Sequence, residues 1–352
     1  MDLVVAGAGI AGLAAAARAR ELGAEVVVLE KGDRPGGSMY LSSGVVWRYR
    51  DWDRFRTECP GGDPELQRLV WERLDDDLAW LESLGAPVAE RETGNPLTAG
   101  IRFDPKGLTE TLARRVGAIR LLEPLSALPA DVPVVLATGG FQGSPGLVRS
   151  HITPQAPNLV LRANPWSSGD GLRIALGAGA ELSAGLDEFY GRNLAAAPQI
   201  SPEQFVSLAQ VYARHARVEN LHGEAYEPRT WSEIDVVQWT ALQPGARARY
   251  IVADAALGEP VRERTVRDVI DAARRAGAPV EKRDGETVVE VVAGITTTLG
   301  GIRIDGRARG ADGLYAAGAD AGGISTGGWS SALAAALVLG KIAAEDAISS
   351  RR

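Results

Sequence analysis

The first thirty residues alternate between apolar runs and a single helical segment. Leu3-Val4-Val5 reads as a short buried strand, and Val26-Val27-Val28-Leu29 as a second. Between them an Ala-rich stretch runs to Glu21 with a helical pattern, and Gly23 ends it. Strand, helix and strand in this order predict a βαβ unit and therefore an α/β fold. Farther on, Leu66, Leu69, Val70, Leu74, Leu78 and Leu81 recur at helical spacing, which predicts an amphipathic helix closed by Gly85. Residues 103–119 predict another helix, running toward a strand at "IRLL". Near the end, residues 316–329 hold five glycines, and an uninterrupted apolar helix pattern follows. The chain shows no internal repeat and no low-complexity linker.

The break between the first strand and helix reads Gly7-Ala8-Gly9-Ile10-Ala11-Gly12, a G-x-G-x-x-G spacing. Gly7 permits the tight turn, Gly9 lets the backbone approach a pyrophosphate, and Gly12 lets the helix pack on the strand. The helix start at Ile10 and Ala11 offers free N–H groups and a partial positive charge to phosphates. Glu30 ends the second strand, 18 residues past Gly12, where it is placed to accept hydrogen bonds from ribose hydroxyls. Glycines, flanking elements and acid together predict a dinucleotide site.

Past Glu30 the chain continues with Lys31, Gly36-Gly37-Ser38 and Ser42-Ser43-Gly44. Here it resembles the FAD-containing flavoproteins of the fumarate reductase, succinate dehydrogenase and 3-ketosteroid dehydrogenase superfamily. The resemblance implies a Rossmann-like FAD-binding domain with an inserted smaller α+β capping domain that lies over the flavin. It places Lys31, Gly37, Ser38, Ser42, Ser43 and Gly44 along the pyrophosphate and toward the flavin. With no histidine near 36–44, the implied FAD is non-covalent. Segment 132–148, "VPVVLATGGFQGSPGLV", extends the likeness and implies FAD-facing positions at Ala137, Thr138 and Gly139. In 164–182, Asp170 would accept a hydrogen bond and cap a helix. Segment 297–329 matches the family's return to the nucleotide domain. It implies Asp320 on the ribityl chain, with Ser330, Ser331 and the helix start at Leu333 facing the flavin N1–C2=O edge. Reduction puts negative charge on that edge, which a helix N-terminus stabilises.

The matching segments imply an FAD-binding domain at 1–182 and 296–352, with the cap at 183–295. Relatives usually place a β-meander before "VVLATGGF"; only "EPLSALPAD" precedes it here, so that layer is expected to be missing. In the cap, 218–231 resembles a family motif with Ala225-Tyr226 where Arg-Phe is usual, and "RYIVAD" resembles its strand.

The site departs from the dicarboxylate branch. Gly191-Arg192-Asn193 stands where that branch has His-Pro-Thr, and Ser325 stands where it has an arginine. That argues against fumarate or succinate. Likeness to the steroid branch rests on "FYG" at 189–191 and Gly327-Gly328-Trp329-Ser330-Ser331, with Trp329 in place of a tyrosine. Indole donates a hydrogen bond but is no acid or base near neutral pH. The implied reaction moves hydride between flavin N5 and a CH–CH or C=C carbon beside a carbonyl, as in ketosteroid dehydrogenases or enone reductases. Tyr190 and Ser331, with Tyr226 behind them, are candidates for the accompanying proton. Arg192 would polarise a carbonyl or hold a carboxylate. The substrate is a small molecule, and the electron donor or acceptor stays open. A second class stays open too: a flavin-binding carrier or redox partner without catalysis of its own.

Composition narrows the rest. A net charge of −7 argues against nucleic acid. One cysteine, Cys59, excludes an internal disulfide and a redox pair, and the three histidines show no metal-ligand spacing. Uncharged stretches at 3–17 and 321–340 read as buried segments, one following Asp2 and the other half Gly, Ser and Thr, so the expectation is a cytoplasmic protein without membrane insertion. "WRYRDWDRFR" at 47–56 is expected to be a loop.

Overall fold

In the computed structural model, which describes residues 1–228 and 234–350, the first apolar run forms β1 (Leu3–Ala6). α1 (Ile10–Glu21) and β2 (Val26–Glu30) follow it. α1 is buried almost all round, and its alanines let neighbouring backbones come close. Next come β3 (Val45–Tyr49), α2 (Trp52–Glu58), α3 (Pro64–Ser83), β4 (Val88–Glu90) and β5 (Thr98–Phe103). α4 (Pro105–Val116), β6 (Ile119–Leu121) and β7 (Val134–Leu136) complete this stretch. Asp51, Asp63 and Asp104 start α2, α3 and α4, each accepting N–H groups of the first turn. Between β6 and β7 no strand intervenes among the described residues.

Segment 47–56 is not the expected loop. It supplies most of β3 and α2, because Asp51 accepts the Arg54 N–H at 2.8 Å and nucleates a helix there. Its alternating aromatics turn inward: Tyr49 and Phe55 are buried, with ring centroids 5.4 Å apart. On α3, Leu66, Val70, Leu74, Leu78 and Leu81 form the buried stripe, while Leu69 stays half-exposed.

The remaining elements are α5 (Pro145–His151), β8 (Val160–Leu161), α6 (Asp170–Gly177), β9 (Phe189–Ala195), β10 (Arg217–Asn220) and α7 (Ile234–Leu242). β11 (Arg247–Ala253), β12 (Pro260–Val261), β13 (Arg264–Thr265), α8 (Val266–Arg275) and β14 (Val280–Arg283) follow. The chain ends with β15 (Glu286–Thr298), β16 (Arg309–Ala311), β17 (Leu314–Ala316) and α9 (Ala332–Ser349).

Two units result: residues 1–144, 164–188 and 297 onward form the first, and residues 145–163 and 189–296 the second. The first holds a sheet of order β16-β17-β7-β1-β2-β6, parallel except for the edge strand β16. A small antiparallel sheet, β3-β5-β4, accompanies it. α9 packs on α1 at backbone distance: a Cβ on Gly340 would lie 2.3 Å from the Ala11 carbonyl oxygen.

The second unit is built on β10-β11-β15-β14, with β8 and β9 also paired to β15. Tyr212, Tyr250, Val266, Ile270, Val289 and Val291 lie in its core. Asn193 is structural there, donating to the Thr240 hydroxyl at 2.9 Å and the Tyr250 hydroxyl at 3.1 Å. In the 218–231 stretch, Glu219 pairs with Ala225, while residues 229–231 lie outside the described residues. Among the described residues no helix is long and apolar enough to cross a membrane.

Candidate functional site

Four loops meet at the carboxyl edge of the parallel sheet, where such sheets bind ligands. The first follows β1. A Cβ on Gly7, at φ +104, would lie 2.2 Å from the Ala137 oxygen, and one on Gly12 would lie 1.9 Å from the Gly7 oxygen. Both glycines are therefore demanded by the fold itself. Gly9 differs, because a Cβ there would meet no atom within 4 Å. The space it faces is open. Gly9 caps α1 without a side-chain partner, and the first turn carries no acid, so the positive end beginning at Ile10 and Ala11 is uncompensated.

Glu30 ends β2 as a buried carboxylate. One oxygen accepts the Ala8 N–H at 2.7 Å and the other the Gly32 N–H at 2.6 Å. Since a carboxylate accepts about four hydrogen bonds, two places remain for ligand hydroxyls. Lys31 pairs with Asp170 at 2.7 Å and donates to Ser168 at 2.6 Å. Asp170 thus spends its carboxylate on Lys31 and does not cap α6; the cap is Gly169 in the left-handed region, with no side-chain bond. Gly36 donates its N–H to the Ala8 carbonyl at 2.7 Å, which draws segment 36–44 beside the first loop. Gly37 lies there too, since its Cβ would be 3.2 Å from the Gly9 Cα. Ser38 Oγ accepts the Asn164 amide at 2.8 Å, keeping its own proton to give. Ser42 Oγ accepts the Gly44 N–H at 3.0 Å, and the Ser43 carbonyl accepts Arg102 Nε at 3.3 Å.

The turns after β7 and β17 are tied by one buried carboxylate. Asp320 accepts the Thr138 N–H, the Thr138 hydroxyl at 3.0 Å and the Gly140 N–H at 3.0 Å. Burial pushes its pKa above the usual carboxylate range, partly opposed by those donors. Ala137 continues β7 by donating to the Ala6 carbonyl at 2.8 Å, and Gly139 sits at φ +95 against the Ser167 hydroxyl. Beside Asp320, Gly318 lies between α1 and α9: its Cβ would be 3.1 Å from Ala11 Cβ and 3.7 Å from Ala336 Cβ. The start of α9 is therefore held against the same loops. Its cap is Ser331, whose Oγ accepts N–H groups of Ala334 at 3.3 Å and Trp47 at 3.4 Å. Ser330 shares a 2.7 Å hydrogen bond with Ser325, and Leu333 is half-buried in the first turn, which carries no acid.

Three residues that sequence reasoning passed over hold this arrangement. Asn164 fixes Ser38 with its amide nitrogen, while its carbonyl oxygen accepts the Trp166 N–H at 2.9 Å. Tyr49 donates to the Trp329 carbonyl at 2.8 Å, and Gln67 donates to the Ile324 carbonyl at 2.7 Å. An open space at Gly9, two helix N-termini without acids and a carboxylate with spare capacity suit a phosphate-linked dinucleotide ending in an acceptor ring.

The comparisons agree with that chemistry. A model of the FAD binding domain matches residues 2–120 and 125–331. The chain belongs to the FAD binding domain family. Its cofactor is FAD. Among curated relatives of the family, a fumarate reductase (cytochrome) of Shewanella frigidimarina is 27% identical over 233 residues, covering 52% of this chain and 40% of that protein. A vinyl phenol reductase of Lactiplantibacillus plantarum is 28% identical over 226 residues, covering 51% of this chain and 46% of that protein. These matches thus span less than half of the relatives' length. The fold resembles the open conformation of a flavocytochrome c3 fumarate reductase, with TM-score 0.73 and 21% identity over 99% of this chain and 78% of that one. It also resembles 3-ketosteroid-delta4-(5alpha)-dehydrogenase from Rhodococcus jostii RHA1, with TM-score 0.71 and 19% identity over 99% of this chain and 96% of that one.

Of the candidates for proton chemistry, the structure brings Tyr190 and Arg192 together in the second unit. They stand two apart on β9, hence on one face, and the Arg192 guanidinium carbon is 5.4 Å from the Tyr190 ring centre. Burial pushes the Tyr190 phenol up, but Arg192, Arg162 and Arg262 together outweigh it and hold the phenol below the ordinary tyrosine value. Ser331 belongs to the other unit, as the α9 cap. Tyr226 donates a hydrogen bond from its hydroxyl to the Asp235 carboxyl group.

Proposed function

We propose that this chain is an FAD-dependent oxidoreductase acting on a CH–CH or C=C unit beside a carbonyl. The observation that carries the reading is the Tyr190–Arg192 pair in a chain that matches the FAD family over most of its length. In this reading the α1 start at Gly9, Ile10 and Ala11, with Gly7 and Gly12 shaping the turn, receives the pyrophosphate. Glu30 takes ribose hydroxyls, supported by Lys31 and Asp170. Gly37, Ser38, Ser42, Ser43, Gly44, Ala137, Thr138 and Gly139 line the path toward the ring. Asp320 serves the ribityl chain, and Ser330, Ser331 and Leu333 serve the pyrimidine edge.

Bound FAD supplies a two-electron couple that exchanges hydrogen with its electron pair at one substrate carbon. The protein's part is the proton on the neighbouring carbon. Tyr190 Oη gives that proton in reduction and takes it in oxidation, and the arginines around it stabilise the phenolate left behind. Arg192 polarises the substrate carbonyl, which makes the adjacent carbon acidic or the alkene electrophilic.

The test is anaerobic. Photoreduced protein is mixed with small carbonyl-conjugated alkenes while flavin absorbance is followed. At least one should reoxidise the flavin, and Tyr190→Phe should slow it by about 10²–10⁴-fold at unchanged flavin content. A panel in which no such alkene restores the oxidised spectrum refutes the reaction, and an unimpaired Tyr190→Phe refutes the residue.

A further inference from the structure

The loop that leads into α9 is tied down by one stretch of chain. Its carbonyls at Gly323, Ile324, Thr326 and Trp329 all accept hydrogen bonds from residues 49–67. The Asp63 N–H reaches Gly323 at 2.7 Å, and the Gly61 N–H reaches Thr326 at 3.1 Å. Gln67 is fully buried and gives its amide to Ile324 at 2.7 Å and to the Cys59 carbonyl at 2.9 Å, while Arg56 donates to its oxygen. The two backbones touch. A Cβ on Gly328 would lie 1.6 Å from the Glu58 oxygen, and one on Gly62 would lie 2.3 Å from the Ile324 oxygen. Only glycine allows this approach.

Trp329 is the informative residue, because it directly precedes Ser330 and Ser331. Both polar groups of its backbone are held by buried side chains. Its carbonyl accepts the Tyr49 hydroxyl at 2.8 Å. Its N–H bonds to Cys59, whose thiol is pushed up by burial and drawn down by this bond. Tyr49 is itself fixed, since its ring stacks on Phe55 with centroids 5.4 Å apart. It lies on β3 two residues after Trp47, whose N–H reaches the Ser331 hydroxyl at 3.4 Å. The Ser330 N–H shares a peptide plane with the Trp329 carbonyl and donates to Ser325 Oγ at 3.3 Å. One hydroxyl therefore sets the orientation of the peptide that enters the α9 cap. Were that peptide to turn, a carbonyl oxygen would take the place of an N–H beside the start of α9. Its partial negative charge would offset the positive end there.

We propose that Tyr49 is a positioning residue for the flavin. By holding the Trp329 carbonyl it keeps the α9 start electropositive where reduction places negative charge, and so sets how readily the bound flavin accepts electrons. This rests on the placement of Ser330 and Ser331 at the pyrimidine edge given above. Tyr49 acts through the backbone of Trp329 and Ser330 and transfers no proton.

The test uses the FAD-loaded protein and sulfite, followed by bleaching of the flavin absorbance. Sulfite bonds through its sulfur lone pair to flavin N5, the displaced electron pair settles on the N1–C2=O edge, and nothing leaves. Its affinity therefore reads the charge stabilisation at that edge. Tyr49→Phe keeps the ring and its stack on Phe55 and deletes only the hydroxyl. It should weaken sulfite binding by about fivefold or more and make the flavin midpoint potential, read against reference dyes, more negative. The potential serves alone if the wild type takes no sulfite. Flavin content and a urea melt report loading and folding. Should Tyr49→Phe not fold, Cys59→Ala, which deletes the partner of the Trp329 N–H, should shift both readouts the same way. A folded, flavin-loaded Tyr49→Phe with sulfite affinity within about twofold of wild type and an unmoved potential overturns the proposal. A lowered melt does not rescue it, because a purely structural tyrosine would lower the melt alone. Ser331→Ala separates the two readings. If it weakens sulfite and Tyr49→Phe does not, the pyrimidine-edge placement stands and the positioning role falls. If only Tyr49→Phe moves the affinity, the tyrosine keeps its role and Ser331 loses its place at the edge. If neither does, both fall.

Discussion

Gly9→Ala separates the demands of the cofactor from those of the fold. In the protein Gly9 has φ −73 and ψ −178, extended backbone open to any residue, and its added Cβ meets nothing within 4 Å. The flavin-free protein should therefore tolerate the change, with stability altered by no more than about 1 kcal/mol, since the unfolded-chain gain opposes the poorer N-cap. The methyl group instead enters the space assigned to the pyrophosphate and holds it away from the N–H groups at the start of α1. Losing one such charge-assisted bond costs about 1.5–3 kcal/mol. At about 1.36 kcal/mol per decade, FAD affinity should fall roughly 10- to 150-fold. Gly12→Ala is the contrast: its Cβ would sit 1.9 Å from the Gly7 carbonyl oxygen, so the flavin-free protein itself should lose about 1–3 kcal/mol or more. The assays are urea melts of the flavin-free proteins and titration with FAD followed by fluorescence. A Gly9→Ala protein that keeps both its melt and its FAD affinity would falsify the pyrophosphate placement.

Further outcomes follow from groups whose surroundings are explicit. Lys341 and Asp77 form a buried ion pair between α9 and α3, and one Asp77 oxygen has no other partner. Lys341→Met should cost about 3–5 kcal/mol at neutral pH in urea melts, and adding Asp77→Asn should restore most of it; a single change costing under about 1 kcal/mol contradicts this. Asp320 has a raised pKa, so folding binds its proton more tightly and its contribution to stability falls as pH rises from the unfolded carboxylate value through the folded one. Asp320→Asn should remove that decline from the pH profile of the flavin-free protein, and superimposable profiles would refute it. Ser331→Ala should destabilise the protein by about 1 kcal/mol through the lost α9 cap, read as a shifted urea midpoint. The Tyr315 phenol, pushed up to about 12 by burial and by Asp346, should ionise above the ordinary tyrosine value in a spectrophotometric titration, and Asp346→Asn should bring it down.

What the sequence made legible was local. The G-x-G-x-x-G turn with its strand, helix and Glu30 is one contiguous unit, and each residue's job follows from its neighbours. The same holds for α3 and α4, whose aspartate caps and closing glycines bracket an apolar stripe. Local reading failed at 47–56, because a strand, a cap and a short helix there share aromatic and basic residues that read equally well as a solvated loop. It failed again at Asp170, where position suggested a cap and the stronger attraction was to Lys31, far off in sequence. Arg162 and Arg262 carried no signal at all. Their electrostatic effect on Tyr190 comes from stretches far apart in sequence, with β8 and β9 both paired to β15, and that has no local pattern.

The seating of Gly340 on Ala11 has a consequence for biosynthesis. The central strand β1 leaves the ribosome before β7, β17 and α9, which follow it in the chain and complete its surroundings. Until residue 340 is free, the nascent β1–α1 pair exposes alanine and valine surface with no lasting partner, the kind of surface that chaperones shield. The packing that holds α1 against its neighbours is therefore complete only once residue 340 is free.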